Sequence, residues 1–273
     1  MSGASDYALG YSTEEERRLT LQAKMFEGLT EDVLRRAGIG AGMNVLDIGC
    51  GPGDVSFLAA RLVGPSGSVV GVDRGEESTE TARRRAKSLG IANVAFATAD
   101  VSGFEADKPF DAVIGRLILL YLPDPSKTLH RLSAHLRPGG VMAFQEMDMS
   151  TFLPPGSPAL MTRALTWVYD AFGAAGAQRE MGPQLPDIFI NAGLPRPEMV
   201  AGQTVTSASD PATYAMVAGL ARSLLPVMER AKIATAEEVG VDTLAERLRS
   251  EAIEKGQSVA YWPRMVGAWA RKT

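Results

Sequence analysis

The sequence predicts an α/β fold: a doubly wound, mostly parallel sheet of seven strands, covered by helices on both faces and carrying a helical lid. Two observations predict it. Between residues 42 and 148, short β-branched runs alternate with segments of helical spacing. Those runs are also apolar almost throughout, as strands are when both faces of a parallel sheet are buried.

The elements follow in order. "NVLDIG" (44–49) and "SVVGVD" (68–73) are strands, and "DVSFLAARLVG" between them has helical spacing, with Asp54 expected as N-cap and Gly64 just past the end. The unit repeats, with "ESTETARRRAKSLG" a helix stopped by Gly90 and "VAFATAD" the third strand. "FDAVIGRLILLYL" (110–122) holds the fourth strand, after which Asp124 caps a helix whose first turn contains Pro125. "RPGG" (137–140) is read as a turn into "VMAFQEMD", the fifth strand. Beyond the core of residues 42–148, helices are expected at 158–177, at 185–194 and from about 211 to 255. "EMVAGQTVTS" and "VAYWPRMVGAWARK" supply the sixth and seventh strands. The whole chain, 1–273, reads as one domain, with 1–38, 151–182 and 211–256 as lid and substrate elements.

Composition narrows the classes. A formal charge of −4 and a pI near 5.4 provide no net positive field for nucleic acid or anionic membrane. "RRRAK" (83–87) follows acidic residues on one helix and reads as a solvated face. A single cysteine, Cys50, allows neither an intramolecular disulfide nor a thiolate cluster, and its seat between glycines suits a small residue in a tight turn. The N-terminus lacks the regions of a signal peptide, and no apolar run approaches the roughly 20 residues of a membrane span, so a cytoplasmic location is expected.

"LDIGCGPGD" (46–54) raises the question of the ligand. A dinucleotide fingerprint is G-x-G-x-x-G, but Asp54 stands where its third glycine belongs, and the glycines run D-x-G-x-G-x-G through Asp47, Gly49, Gly51 and Gly53. A carboxylate at that helix entrance is expected to repel a pyrophosphate, and it is compatible with a ligand carrying an amino group and a sulfonium. This favours S-adenosylmethionine over NAD.

On these residues the chain resembles the class I S-adenosylmethionine-dependent methyltransferases, which share a Rossmann-like core, and among them the small-molecule group that includes the ubiquinone and menaquinone C-methyltransferases. The "RPGG" turn matches as well. Asp73, 20 positions after Gly53, can accept from both ribose hydroxyls or cap the next helix. The resemblance implies that Asp100 accepts from the adenine amino group while the Val101 N–H meets a ring nitrogen; a turn role is the alternative for Asp100. Arg74 can lay its stem over the adenine or point to solvent. Arg116 ends the fourth strand at the topological switch point. It can pair with the methionine carboxylate of the donor, with an acidic substrate, or structurally with Asp47 or Glu146.

Methyl transfer from a sulfonium is an in-line displacement, so positioning and desolvation can supply much of the acceleration without a metal or a covalent intermediate. Where the acceptor must lose a proton, Glu146 is the candidate base or orienting acid; His130 and His135, five apart on one helix, suit packing better. The acidic metal ligands of the magnesium-dependent catechol O-methyltransferases are missing at the fourth strand, and so is the N-P-P-Y type of motif used on nucleobase or glutamine nitrogens. The expectation is a small, fairly apolar acceptor, S-adenosylhomocysteine as product, no metal, no nucleic acid or membrane partner, and a possible homodimer. The segment from Tyr7 to Leu29 reads as a helix over the donor, with Tyr11 as a candidate substrate contact. Trp167 is a second candidate, among apolar lid residues that include Tyr169, Phe172, Met181 and Met216. An NAD-dependent oxidoreductase and a non-catalytic S-adenosylmethionine-binding protein are the competing readings.

Overall fold

The computed structural model describes residues 13–152 and 156–273, without the side chains of 13–17 and 20. A helix α1 (Thr13–Arg36) precedes the alternating region. There follow β1 (Asn44–Ile48), α2 (Asp54–Val63), β2 (Ser68–Asp73), α3 (Glu76–Leu89), β3 (Val94–Thr98), β4 (Phe110–Arg116), α4 (Pro125–Ser133) and β5 (Leu136–Asp148). The second half holds α5 (Ala159–Ala174), α6 (Met181–Asn191), β6 (Glu198–Gly202), β7 (Val205–Ser207), α7 (Pro211–Arg230), α8 (Ala236–Val239), α9 (Val241–Glu254), β8 (Val259–Tyr261) and β9 (Arg264–Arg271). The contacts of the described residues gather into two compact units, one of 26–147, 180–202 and 265–273, the other of 13–25, 148–152, 156–179 and 203–264.

The first unit is the sheet. Its seven strands run β3-β2-β1-β4-β5-β9-β6, with β1 parallel to β2 and β4, β2 to β3 and β4 to β5, and β6 antiparallel to β9. The predicted doubly wound, mostly parallel sheet is therefore present, and β1 lies inside it. Val45, Leu46 and Ile48 are buried there, as are Val55, Leu58, Ala59 and Val63 of α2, which pack with Val33, Leu34, Val141 and Trp269. Each large apolar side chain removed from water in this way stabilises the fold by about 1.5–3 kcal/mol before entropy is counted.

Four local expectations need correction. The N-cap of α2 is Gly53, in the left-handed region at φ 92°, and Asp54 is its first helical residue. A Cβ at Gly53 would also stand 2.8 Å from the Phe57 ring, so the turn and the helix packing both require glycine. "RPGG" is not a turn ahead of β5 but a bulge within it, where the register with β4 shifts between Phe110 and Ala112. Helix α6 begins at Met181, earlier than the expected 185, and ends as expected just before Gly193, at φ 79°. Finally, each of the two C-terminal runs read as one strand is broken, at Gln203–Thr204 and at Trp262–Pro263, leaving β6 and β9 in the main sheet and β7 with β8 as a separate antiparallel ribbon.

The second unit is helical. The Asp210 side chain accepts from the Ala212 N–H at 2.9 Å and Pro211 fills the first turn, which fixes the start of α7. Helix α7 packs on α5 and α9, and Met216, Leu220 and Leu224 of α7, Leu165 and Val168 of α5, and Leu244 and Leu248 of α9 are all buried. Among the described residues no helix is long and apolar enough to cross a membrane.

Candidate active site

The glycine turn is closed by its own chemistry. Gly49 (φ 64°), Gly51 (φ 51°) and Gly53 all lie in the left-handed region, where other residues are strained. Asp73, at the end of β2, joins the turns after β1 and β2: its carboxylate accepts from the Gly51 N–H at 2.9 Å and the Gly75 N–H at 2.8 Å. Both readings offered for Asp73 remain open, since it holds the next turn yet stays half exposed, with acceptor capacity left over. Above Gly51 a Cβ would meet nothing within 4 Å, so the turn faces open space.

Asp47 lies beneath that turn, 1% exposed. One oxygen accepts from the Ser56 hydroxyl at 2.5 Å, and the other, Oδ1, has no partner. Burial pushes its carboxyl up to about 7, against the opposing pull of the Ser56 hydrogen bond and the Arg116 charge. An orphaned buried acceptor beside a glycine cradle fits a ligand that brings a cation of its own. Cys50 is buried, and burial pushes its thiol well above its ordinary value, in keeping with a packing role.

Arg116 is half buried at the end of β4, and burial lowers its pKa, while Asp54, Asp47 and Glu27 oppose that effect. Its Nη1 donates to the Thr30 hydroxyl at 3.0 Å, and that hydroxyl lies 2.7 Å from Gln145 Oε1. Neither expected structural ion pair is formed, because Asp47 bonds Ser56 and Glu146 bonds the backbone. Thr30 and Gln145 went unnoticed in the sequence, being 86 and 29 positions from Arg116.

Asp54 carries its own correction. It pairs with Arg85 at 2.6 Å, and Arg85 also donates to the Pro52 carbonyl at 2.6 Å. The charge at the helix entrance is thus answered within the chain, and discrimination against a pyrophosphate falls to the glycine spacing. Asp100 is exposed after β3, and its Oδ1 accepts from the Ser102 N–H and hydroxyl at 2.7 and 2.5 Å, which hold its carboxyl below the ordinary range. The Val101 side chain beside it is buried, and Arg74 is exposed, close enough for its charge to act on Asp100.

Glu146 is fully buried near the end of β5. Its Oε1 accepts from the backbone N–H groups of Ile118 at 3.0 Å and Leu119 at 2.8 Å, while Oε2 has no partner. Burial raises its carboxyl to about 8, so at neutral pH the neutral acid predominates. The amides it holds follow Leu117, a non-glycine residue at φ 55°, a conformation that costs about 1–2 kcal/mol. The corner then runs into a 3-10 turn, Leu119–Tyr121.

In the helical unit Trp167 is half buried on α5, Tyr169 stacks with Arg179 at 4.0 Å, and Phe172 and Met216 are core residues. Met181, expected in the lid, is buried within the sheet unit. Tyr7 and Tyr11 lie outside the described residues. A recess in the helical unit is lined by Phe152, Met161, Leu165, Val217 and Trp262 among others, and Trp167 is not part of it. The buried Trp262 Nε1–H meets no acceptor.

A family model described as a methyltransferase domain matches residues 39–180, just over half of the chain, and the protein belongs to that family. It is 38% identical over 130 residues to the aklanonic acid methyltransferase DauC of Streptomyces sp., covering 45% of this chain and 59% of that one. It is 36% identical over 118 residues to the trans-aconitate 2-methyltransferase of Methylobacterium nodulans, covering 43% of each. These matches span about half the length of the curated relatives. Among solved structures, the YcgJ protein of Bacillus subtilis has a TM-score of 0.59 at 15% identity, covering 90% of this chain and 98% of that one. That likeness shows the fold alone.

Proposed function

We propose that the protein is an S-adenosylmethionine-dependent methyltransferase acting on a small, fairly apolar acceptor, with the whole chain working as one catalytic domain. The observation that carries this reading is the D-x-G-x-G-x-G turn, which faces open space above Gly51 while Asp47 keeps one buried oxygen unpaired beneath it. When bound, the donor supplies an electrophilic methyl group on a sulfonium. The chain's part is to orient it. The unpaired Asp47 carboxyl answers the methionine amino group, Arg116, held by Thr30, answers the methionine carboxylate, and the free acceptor capacity of Asp73 takes the ribose hydroxyls. Asp100 and the Val101 amide are assigned to the adenine, with the Arg74 stem over its face. No protein metal ligand enters this scheme, and a cytoplasmic enzyme is the accompanying expectation.

For the acceptor, the support is the apolar character of the residues around α5 and α7; the recess of the helical unit, with a free volume of about 20 Å³, has room for a water and not for an organic acceptor. Tyr11 and Trp167 stay as candidate contacts. Glu146 fits the orienting role better than that of a base, since it is fully buried and its Oε1 already accepts two backbone hydrogens. Calorimetry tests the donor assignment: S-adenosylhomocysteine binds and NADH does not. Binding of NADH without S-adenosylhomocysteine overturns it.

A further inference from the structure

Leu117–Leu119 form the corner between β4 and the 3-10 turn Leu119–Tyr121, whose first amides have no partner of their own within the turn. It follows the last residue of β4, starts from a left-handed Leu117, and carries two successive amides that point away from any strand partner. The side chain it presents is Ile118, whose carbons stand 2.6–2.9 Å from where a Cβ of Gly49 would be. Ile118 therefore rests directly on the first glycine of the donor turn, and this close approach, together with φ 64°, requires that residue to be glycine.

We infer that Glu146 is a positioning residue for donor binding: its buried carboxyl, by accepting from the Ile118 and Leu119 amides, fixes the corner that seats Ile118 against Gly49 and so sets the shape of the methionine end of the site. This rests on the donor reading above. The acid is anchored from behind, on β5, where its neighbours Gln145 and Met147 are themselves buried. Two hydrogen bonds to adjacent amides hold a peptide in one orientation, as one bond does not. They also offset the strain at Leu117. The role needs an acceptor oxygen at one place and needs no negative charge, so glutamine can fill it and the shorter aspartate cannot.

The test uses the intact chain, with S-adenosylhomocysteine and adenosine as probes and thermal unfolding as a check on the fold. The expected result for E146Q is a Kd within about twofold of the parent for both ligands. For E146D, S-adenosylhomocysteine binding weakens by about tenfold while adenosine binding, which lacks the methionine end, stays within about twofold. I118A leaves the buried acid in place and gives the same split, so the outcome does not hang on whether E146D folds. Equal losses in E146Q and in E146D, or an unchanged affinity for S-adenosylhomocysteine in folded I118A, overturn the inference. Failure of the parent protein to bind S-adenosylhomocysteine overturns the donor reading instead.

Discussion

The glycine-turn edge of the sheet gathers its buried polar groups around one turn, and the helical unit scatters them. At the sheet edge, Asp47, Asp73, Arg116 and Glu146 are all buried or half buried, and two of them keep a buried oxygen without a partner. In the helical unit the interior is largely apolar, with Arg18, Asp148 and Thr213 buried in it at separate places, and Trp262 is a buried donor left open in the lining of the recess. On the proposed function, the contrast matches two tasks. A donor molecule that never changes can be met by fixed charges, each expensive to bury and therefore few and close to the turn. The proposed apolar acceptor calls instead for selection by shape, which is spread over many side chains.

The comparison is sharpest in pH dependence, and that is where the largest effect is expected. The carboxyls of Asp47 and Glu146 rise from 3.8 to about 7 and from 4.5 to about 8. Because both folded values lie above the unfolded ones, their contribution to stability is complete below the unfolded values and is lost as pH climbs through 7 and 8. The urea midpoint should fall between about pH 5 and pH 9, by an amount on the order of a few kcal/mol in free energy. In D47N/E146Q the fall should be much shallower. An unchanged slope in the double variant would place the titrating groups elsewhere and remove the distinction between the two regions.

Next comes Asp73, which ties the turns after β1 and β2 together. D73A removes two carboxylate–amide bonds and the proposed ribose contact, and S-adenosylhomocysteine binding should weaken about 100-fold, equivalent to roughly 2.7 kcal/mol. Loss of affinity for adenosine by the same factor would show that the effect resides in the nucleoside half. R116M should have a smaller effect of the opposite pattern: about tenfold on S-adenosylhomocysteine and none on adenosine, which has no carboxylate. Equal losses for both ligands would take Arg116 out of the methionine end.

How much of this was legible in the sequence follows the same division. The strands β1 to β5 and the donor turn could be read because their signals are local: β-branched runs, a glycine every second residue, and Asp73 one element later. What could not be read is set by distant partners. Arg85 pairs with Asp54 from 31 positions away, Thr30 holds Arg116 from 86, and Glu146 reaches the corner amides across 27 and 28. Nothing near those residues announces such partners. The breaks at Gln203–Thr204 and Trp262–Pro263 escaped for a related reason. Apolar alternation continues through both, and only Pro263, which cannot donate to a ladder, hinted at an interruption.

The smallest expected effect lies in the helical unit, and it tests whether the open donor there is a feature of recognition or of folding. Trp262 lines the recess with its N–H unpaired, so in the free protein that N–H stabilises nothing and bears a desolvation cost. W262F keeps most of the ring packing and removes the stranded donor, and the two changes should nearly cancel, leaving stability within about 1 kcal/mol of the parent. Truncation of a buried Trp to Ala commonly costs about 3–5 kcal/mol. S-adenosylhomocysteine affinity should not change, because the donor reading draws no residue from the recess. A loss of about 2 kcal/mol or more in W262F would mean that the N–H is already satisfied in the free protein, by a bound water for instance. The helical unit would then have no open polar group in the recess, which has room for such a water.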